Sequence, residues 1–585
     1  MADDILVAKD AYVAFDGLSI KAKIRESLQQ SGIFTDQNYE GSNLSAFNDA
    51  MSMIFSLLMF NLNKSSANGQ FSISKLYEVM NGIVKELDYK PIGHQTASVS
   101  FTLSSINHPI GSFTIPRFSS TSVGGITYTT TSDISFTKKV ASTMETLLPM
   151  GSGGLLFQGK PIEYPIQIAS GNPNEIITLI PERNTFVDNF NIAVFVKTPN
   201  GSWEEWSRVA SAYLYNSTDK VFEVRFNEKQ KYDIKFGNNI NGQQLLKDSS
   251  VAIYYIQSLG SSGEIGANVL NNRKFVPFTT NRFTQIISDI TNNSNYTNQL
   301  DKLIISNPLP SSYYSPPETV EEIRQNAPAN FRSQFSLTTS KSYETFIKTN
   351  FSNIIQDVKV LNNEEYLDSY IKYFYNLGLT KPQLESRALF NQVRYADSCN
   401  FNNVYCVVVP KTIPNVLGYI VPEQKKLILN TIKNEKTLTS EVIISDPVYI
   451  SFDFALSDSG VISLDDLNTT NILIEKNTSS RRNDISIQND VYNKILSFFD
   501  RKNNSLGQTL NINQLIADIS SIEGVKNIFT RKTNSTSRVE GLQLLAWNQS
   551  YKHQLTPFNS SYSLEVFQYP TLNSPETLLS RIIVE

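Results

Sequence analysis

The string DAMSMIFSLLMFNLNK, which begins at Asp49, is the most apolar stretch of the chain. Between Met51 and Phe60 every residue is Met, Ile, Leu or Phe except for two serines. As a helix, the part from Met51 to Leu62 would be roughly 18 Å long, whereas the hydrocarbon core of a bilayer is about 30 Å thick. The run is therefore too short to span a membrane, and we expect no membrane insertion.

The apolar residues around this run follow a heptad-like spacing, which predicts a helix with a packing seam. Their separations alternate between three and four, and the seam consists of Leu44, Phe47, Met51, Ile54 and Leu58. Much of the remaining circumference is also apolar, through Met53, Phe55, Leu57 and Phe60. A helix of this kind needs several neighbours, either within its own core or from other chains. We favour a helix-bundle interface with other chains, and a core helix of this chain remains the alternative.

Composition excludes several classes of protein. The chain has 585 residues with 51 basic and 55 acidic side chains, so its net charge of −4 argues against a nucleic-acid binder that neutralises phosphates. There are two cysteines, Cys399 and Cys406, and three histidines, all far from the cysteines in sequence. We therefore expect no metal site and no disulfide framework, and we expect both cysteines to serve packing.

The periodicity of the sequence predicts a multidomain α+β protein. Residues 1–93 form an N-terminal helical (core-bundle) segment whose second helix extends from about Ile73 to Leu87. Residues 94–270 form a central all-β region, because their apolar residues alternate with a period of two. A polar connection follows at 271–318, and C-terminal α/β modules follow at 319–475 and 476–585. The strings FSNIIQDVKV and ISSIEGVKNIF suggest a weak internal repeat between the two modules.

No motif supports catalysis. The string GLLFQGKP places Gly154, Gly159 and Lys160 at the spacing of a phosphate-binding loop, but Pro161 and a strand-like run replace the required Ser or Thr and the helix. Adjacent carboxylates occur in pairs, yet neighbours in a strand point to opposite faces. We therefore expect no catalytic residue, no cofactor and no enzymatic activity.

Two tryptophans, Trp203 and Trp206, stand three residues apart in GSWEEWSRV. One interpretation is an aromatic platform for a sugar or a peptide. The interpretation that we favour is a hairpin with one buried tryptophan and one that contacts a partner.

Several strings taken together resemble a known family, because they occur in the same order and spacing over roughly residues 15–410, with a weaker extension to about 530. The chain resembles the baseplate wedge proteins of T-even-like myoviruses, larger relatives of the phage baseplate J-like proteins. The strings that carry this resemblance are DQNYEGSNLSAFNDAMSMIFSLLMFN, FTIPRFSSTSVGGITYTTTSDISF, VFEVRFNEKQKYDIKFGNNINGQQLLKDSSVAIYYIQSLGSSGEIGANVL and PETVEEIRQNAPANFRSQFSLTTSKSYETFIKTNF.

Two of these strings differ from the family pattern at defined positions. The family's Phe-Gly-Asp-Gly turn corresponds here to Phe236, Gly237, Asn238 and Asn239, followed by Gly242, and Asn239 is expected to adopt a positive φ. At Ser336 and Ser342 the family often has Arg and Asp, so an ion pair that those residues make elsewhere is not expected here.

The resemblance implies a structural role in a virion. Two copies would join other wedge proteins through a helical core bundle, and the C-terminal halves would form a ring around the tail tube and hub. That ring would hold the sheath extended until contraction. The implied partners are a second copy, a core-bundle partner, a LysM-type clamp and a lysozyme-like sheath initiator, with only indirect contact to the hub. Assembly would occur in the host bacterial cytoplasm.

The alternative function is a receptor-binding or polysaccharide-degrading tail protein, suggested by the β-rich middle and the two tryptophans. Such proteins usually show regular repeats, and the sequence has no evident repeat of 20–50 residues.

Overall fold

The computed structural model describes residues 17–31, 42–105, 107–139, 145–147, 154–182, 185–290, 296–333, 336–363, 365–366, 403–411, 418–433, 435–456, 469–533, 535, 538–548, 553–554 and 561–585. Over these residues the chain is a mixture of helices and antiparallel-rich sheets, which agrees with the predicted multidomain α+β class. The bundle predicted for the N-terminal helices stays a prediction.

The helices, numbered along the chain, are α1 Gly17–Ser31, α2 Asn43–Asn68, α3 Tyr77–Lys85, α4 Asn281–Ile290, α5 Val320–Ser333, α6 Ser340–Asn350, α7 Pro422–Ile432, α8 Asp484–Phe498, α9 Ile512–Ser520 and α10 Pro575–Arg581.

The strands of the first 310 residues are β1 Ser98–Ser100, β2 Thr102–Ser105, β3 Gly111–Ile115, β4 Ser120–Val123, β5 Ile126–Thr129, β6 Ile134–Lys138, β7 Glu145–Leu147, β8 Leu155–Gln158, β9 Lys160–Glu163, β10 Gln167–Ile168, β11 Ile176–Leu179, β12 Phe186–Lys197, β13 Trp203–Val209, β14 Val221–Phe226, β15 Tyr232–Phe236, β16 Ser250–Ser258 and β17 Leu303–Ser306. The later strands are β18 Ile355–Asn362, β19 Asn403–Pro410, β20 Glu441–Ser445, β21 Val448–Phe454, β22 Thr470–Lys476, β23 Thr509–Asn511, β24 Val525–Lys532, β25 Arg538–Glu540, β26 Leu544–Asn548, β27 His553–Gln554, β28 Ser561–Ser563, β29 Gln568–Leu572 and β30 Ile582–Val584.

The described residues separate into two compact units. The first contains the chain up to Pro91 together with Asn227–Gln230 and Glu318–Ala327. The second contains Ile92–Phe226, Lys231–Pro317 and Pro328–Glu585.

In the first unit, α3 packs against the first half of α5. Met80 and Val84 of α3 are fully buried with Ile323 of α5. The sequence predicts α3 to begin near Ile73, but the structure begins it at Tyr77. Arg324 explains the difference, because its guanidinium donates to the backbone carbonyls of Phe71 and Ser74, which are then held in a turn.

In the second unit, the central β region is built on one eight-stranded sheet. Its spatial order is β10, β16, β12, β13, β14, β15 and β11, and β9 also pairs with β16. Smaller sheets join β1, β8, β5 and β4, then β17, β2 and β7, then β3 and β6. Strand β15 alternates buried and partly buried residues, whereas β16 is buried along most of its length.

The segment predicted to be a polar connection, 271–318, contains α4 and β17. Leu303 and Ile305 of β17 are fully buried and join the same core as Phe275 and Leu300. The apolar run of β17 is short and lies between polar stretches, and its partner β2 is 200 residues away in sequence. This part of the chain therefore belongs to the folded core.

Two α/β modules follow, and their central sheets have the same arrangement. In the first module β19 is the middle strand, with β18 antiparallel on one side and β20 parallel on the other. In the second module β22 is the middle strand, with β24 antiparallel and β30 parallel, and β25 extends the edge next to β24. This module includes residues before the predicted boundary at 475/476, because Ile450 of β21 and Ile472 of β22 lie in its core.

The similarity of the modules extends to local detail. Residues 351–354 connect α6 to β18, and residues 521–524 connect α9 to β24. Each of these strands has a bulge at its second residue, Gln356 in β18 and Lys526 in β24, where the pairing with the middle strand skips one position. The weakly similar strings therefore occupy equivalent places. The modules differ in chain order, because β19 follows β18 whereas β22 precedes β24.

Helix α6 begins with a capping box. The Thr339 side chain accepts from the backbone N–H of Ser342, and the Ser342 hydroxyl in turn receives the backbone N–H of Thr339 at 3.0 Å. Ser342 thus completes a capping box, a role that a carboxylate fills in other sequences.

A buried ion pair ties α10 to two strands of the second module. Arg581 lies 2.8 Å from Asp453 of β21, and only 7% and 2% of their side chains are exposed. The same guanidinium donates to the carbonyls of Thr470 and Phe454, at 2.8 and 2.6 Å. Asn573 donates to the second oxygen of Asp453 at 2.9 Å. Every charge in this network has a partner.

We predict that Arg581→Met destabilises the second module by about 3–5 kcal/mol, because it leaves the Asp453 carboxylate buried without its counter-charge. Hydrogen exchange of β21 and β22 should accelerate accordingly. As a control, Arg531→Met breaks a more exposed pair with Glu585 and should cost less than about 1 kcal/mol. Equal effects of the two substitutions would contradict this assignment.

Candidate interaction surface

Helices α1 and α2 form an antiparallel pair in the first unit. Lys21 forms an ion pair with Asp49, and one turn further along Arg25 donates to the Ser45 hydroxyl at 3.5 Å. Helix α2 begins after Ser42, whose side chain accepts from the backbone N–H of Ser45 at 3.0 Å. These contacts set which face of α2 meets α1.

The face of α2 that is buried is the polar one. Ser45, Asn48 and Ser52 are only 1%, 3% and 4% exposed, and their spacing of three and four places them on one side of the helix. The Ser52 hydroxyl donates to the carbonyl of Asn48 at 2.6 Å, so its polarity is satisfied within the helix. Small side chains let a neighbouring helix approach closely. The spacing of these three polar residues is present in the sequence, but they lie within an apolar run and were not predicted to form the buried face.

The seam predicted for α2 lies on the exposed side. Phe47, Ile54 and Leu58 are 62%, 52% and 55% exposed, whereas Leu44 and Met51 are half-buried. The structure therefore places the five residues on one helix face, and their role as an interface with another chain stays a prediction.

The other large apolar side chains of α2 are exposed as well. The exposed fractions are 73% for Met53, 45% for Phe55, 59% for Leu57 and 63% for Phe60. Single exposed apolar residues are ordinary on a protein surface, but contiguous patches of this kind mark interaction sites. Helix α2 is thus the strongest candidate interaction surface in the part of the chain that the structure describes.

The turn after β15 is rigid and densely bonded. Asn239 has φ of 63°, the left-handed conformation that asparagine tolerates, and its N–H donates to the carbonyl of Gly242 at 3.0 Å. The Asn238 side chain accepts from two backbone N–H groups, at 3.0 and 2.8 Å. Phe236 is buried at the end of the strand. Gly237 packs so closely that a Cβ there would lie 2.3 Å from the carbonyl carbon of Gly242.

We predict that Gly237→Ala lowers the melting temperature and loosens this turn, because the added methyl group meets backbone that cannot move aside. The expected cost is about 1–3 kcal/mol, as for other overpacked sites. Gly266→Ala is the control, since the only atom within 4 Å of its Cβ is Val269 Cγ2, at 3.9 Å. Differential scanning calorimetry of both variants tests this, and indistinguishable transitions would contradict it.

Both tryptophans are buried, which corrects the expectation that one of them contacts a partner. Trp203 and Trp206 are each 5% exposed on β13. Their spacing of three puts them on opposite faces of the strand, and each face is covered. Trp203 packs in a core with Phe195 and Tyr254, while the Trp206 ring lies 5.6 Å from the Phe236 ring. Neither ring is available as an open aromatic platform.

The string that resembles a phosphate-binding loop forms two strands. Gly154 precedes β8, Gly159 lies between β8 and β9, and Lys160 and Pro161 begin β9. A phosphate-binding loop places its glycines before a helix N-terminus, which is not the arrangement here. The structure agrees with the interpretation of a glycine-containing connection between strands.

The described cysteine and two of the histidines lie within the folded protein. Among the described residues, no cluster of His, Cys, Asp or Glu has the geometry to hold a metal ion. Burial raises the pKa of the Cys406 thiol to about 12 in the core of the first module, and Cys399 lies outside the described residues. His108 is buried 2.8 Å from the Thr297 hydroxyl.

His94 is held neutral by burial, which lowers its pKa to about 4. Its Nδ1 lies 2.5 Å from the Tyr314 hydroxyl, and which of the two donates depends on the tautomer of the neutral ring. The unfolded chain binds a proton at this histidine near pH 6.5, so the folded state should lose stability as the pH falls from there towards about 4.

We predict that His94→Asn removes this pH-dependent loss of stability, since an amide side chain can still share a hydrogen bond with Tyr314 but does not titrate. Urea midpoints of the two proteins, measured from pH 7.5 downward, should diverge from the pH at which the unfolded histidine titrates, with the wild type losing more. Parallel profiles would show that the histidine is not buried in its neutral form.

Over the residues that the structure covers, no helix combines the length and the apolar character needed to cross a bilayer.

Comparison with known proteins gives little that bears on function. No family model matches the chain, and no curated protein matches it. Among solved structures, the chain is similar to a chain from the cryo-EM structure of the anti-feeding prophage (AFP) baseplate. The two are 12% identical, the match covers 95% of this chain and 90% of that chain, and the TM-score is 0.28. Because that TM-score is low, the similarity carries no conclusion about what this chain does.

Proposed function

We propose that the chain is a structural subunit of a contractile-tail baseplate, specifically a wedge component that joins other chains through α2. The observation that carries this proposal is the inverted burial of α2, which faces α1 with small polar residues and leaves its apolar seam outward. The ordered strings that resemble baseplate wedge proteins supply the identity of the assembly.

The energetic argument starts from the seam residues. Burying a side chain such as Phe or Leu stabilises by about 1.5–3 kcal/mol relative to leaving it in water. Phe47, Ile54 and Leu58 are each more than half exposed, so most of that stabilisation is still available. A helix from a second chain with the same heptad spacing could bury these side chains and gain that stabilisation. We propose a second copy of this chain as that neighbour.

In this proposal the protein acts mechanically and has no catalytic role. The bundle formed by α2 holds the wedge together, and the C-terminal modules of neighbouring copies form a ring around the tail tube and hub. The ring holds the sheath extended and releases it on contraction, which requires an interface with two alternative sets of contacts. Other wedge proteins, including a core-bundle partner, a LysM-type clamp and a lysozyme-like sheath initiator, complete the assembly in the virion tail.

The alternative function, a receptor-binding or polysaccharide-degrading tail protein, loses one of the two features that suggested it. Trp203 and Trp206 are buried on the two faces of β13 and offer no aromatic surface to a glycan.

We predict that Ile54→Asp abolishes assembly into the wedge, because an unpaired carboxylate in a buried seam costs several kcal/mol. Phe47→Asp should have the same effect. Both variants should keep the β region folded, as judged by circular dichroism.

The matched control is Ile73→Asp. Ile73 is the same residue type with the same 52% exposure as Ile54, but it lies in the turn before α3. Sedimentation of the three variants with co-expressed tail proteins would overturn the proposal if Ile54→Asp assembled as well as Ile73→Asp.

A further inference from the structure

The outer edge of β18 is open, whereas the equivalent edge of the second module is paired. In the second module β25 pairs with β24, and the centre of their register joins Thr530 to Val539. In the first module β18 is the end strand of its sheet, and none of the described strands pairs with its outer side. An open strand edge presents N–H and C=O groups that can pair with another chain, so proteins usually protect such an edge.

The shared bulge allows the two edges to be aligned residue by residue. Val360 lies four residues after the bulge at Gln356, and Thr530 lies four residues after the bulge at Lys526. Val360 is therefore the equivalent of Thr530, the residue at the centre of the pairing with β25. A strand added to the first module in the same way would pair with the backbone of Val360.

A carboxylate from α6 occupies this place. Glu344 accepts a hydrogen bond from the backbone N–H of Val360 at 3.2 Å, and only 14% of its side chain is exposed. The same carboxylate lies 3.4 Å from the ammonium group of Lys341 and 3.7 Å from that of Lys359. Val360 belongs to the core that α6 covers, and its neighbour Lys359 points to the opposite face of the strand. The ion pair between Glu344 and Lys359 therefore reaches around the edge of the sheet.

Helix α9 of the second module has an amide in place of this acid. Gln514 of α9 and Glu344 of α6 each lie 11 residues before the start of the strand that follows their helix. The Gln514 amide donates to Asp518 at 3.0 Å, within its own helix. The acid is thus present beside the open edge, and an uncharged residue takes its position beside the paired edge.

The end of β18 is closed by a second carboxylate. Glu365 accepts from the backbone N–H of Asn362 at 3.3 Å, and the Asn362 side chain accepts from the N–H of Glu365 at 2.8 Å. Asn362 lies two residues after Val360, so its N–H points to the same side of the strand. Two successive outward N–H groups therefore donate to carboxylates. A strand that paired here would have to displace both of these charged groups.

We infer that Glu344 is a guard residue, which keeps the open edge of β18 from pairing with a strand of another chain. This inference does not depend on the proposed function. Pairing at Val360 would exchange a hydrogen bond to a charged acceptor for one to a neutral carbonyl, and it would take the carboxylate out of its ion pairs or bury it in the new interface. Removal of the charge should therefore allow two copies of the chain to join at this edge.

The experiment uses the full chain with Ile54→Asp in every protein, so that the seam of α2 does not contribute to association. Glu344→Ala and Glu344→Gln are compared with this parent by sedimentation velocity over a series of protein concentrations. Each variant should double its mass relative to the parent as the concentration rises. An antiparallel pair with a two-fold axis at Val360 covers both edges and ends further growth. A lysine-reactive reagent should join Lys359 of the two copies in this dimer.

Two further variants separate edge pairing from a general loss of stability. Glu163→Ala is the matched control, because Glu163 is 18% exposed, pairs with Arg282 at 2.7 Å and accepts from the Thr280 hydroxyl instead of a strand backbone. It should sediment as the parent does. Asn362→Pro added to Glu344→Ala should restore the mass of the parent, because proline offers no N–H to an added strand. Association caused by unfolding would not be reversed in this way.

The inference is overturned if Glu344→Gln is folded by circular dichroism and sediments as the parent does at every concentration. That result would show that the charge is not what keeps the edge closed, and it remains decisive if Glu344→Ala does not fold. The inference is also overturned if the variant with Asn362→Pro still associates, or if Glu163→Ala associates as strongly as Glu344→Ala.

Discussion

The packing of α2 against α1 through small polar residues is the constraint on which the rest of the account depends. Ser45, Asn48 and Ser52 occupy the buried face, and this orientation turns the large apolar side chains outward. The exposed apolar side chains of this helix have not yet gained the free energy that burial would give them. In the proposed function, helix α2 completes its burial against other chains.

Much of this surface was visible in the sequence. The separations of three and four among Leu44, Phe47, Met51, Ile54 and Leu58 predict a seam without knowledge of any neighbour, because helical periodicity is a local property. The side that faces α1 was not predictable in the same way. It depends on the pairing of Lys21 with Asp49, and small polar residues within an apolar run give no strong local signal.

Other differences between the predicted and the observed structure also arise from contacts between residues that are distant in sequence. Helix α3 begins at Tyr77 because Arg324, far along the chain, holds the carbonyls before it. Both tryptophans of β13 are buried because each face of that strand meets a different layer, a fact that spacing alone does not contain. Strand β17 is short, and the sequence on either side of it is polar. Only its pairing with β2 shows that it belongs to the core. Strand and helix periods were predictable, and which layer covers which face was not.

The two C-terminal modules differ from helix α2, because their large apolar side chains are mostly buried. They share equivalent bulges at Gln356 and Lys526 and the same strand arrangement, and each has a buried hydrophobic core within the second unit. The second is further tied by the buried pair of Arg581 and Asp453. In the proposed function these modules form the ring, and the exposed apolar face of α2 is the contact that assembles it.

The central claim is that α2 completes its burial against other chains. Cryo-EM of the intact particle that contains this protein, at a resolution that shows side chains, tests this most directly. The account predicts helical density from other chains against Phe47, Ile54 and Leu58. It is contradicted if these three side chains face solvent in the assembled particle, or if they pack against the β region of their own chain.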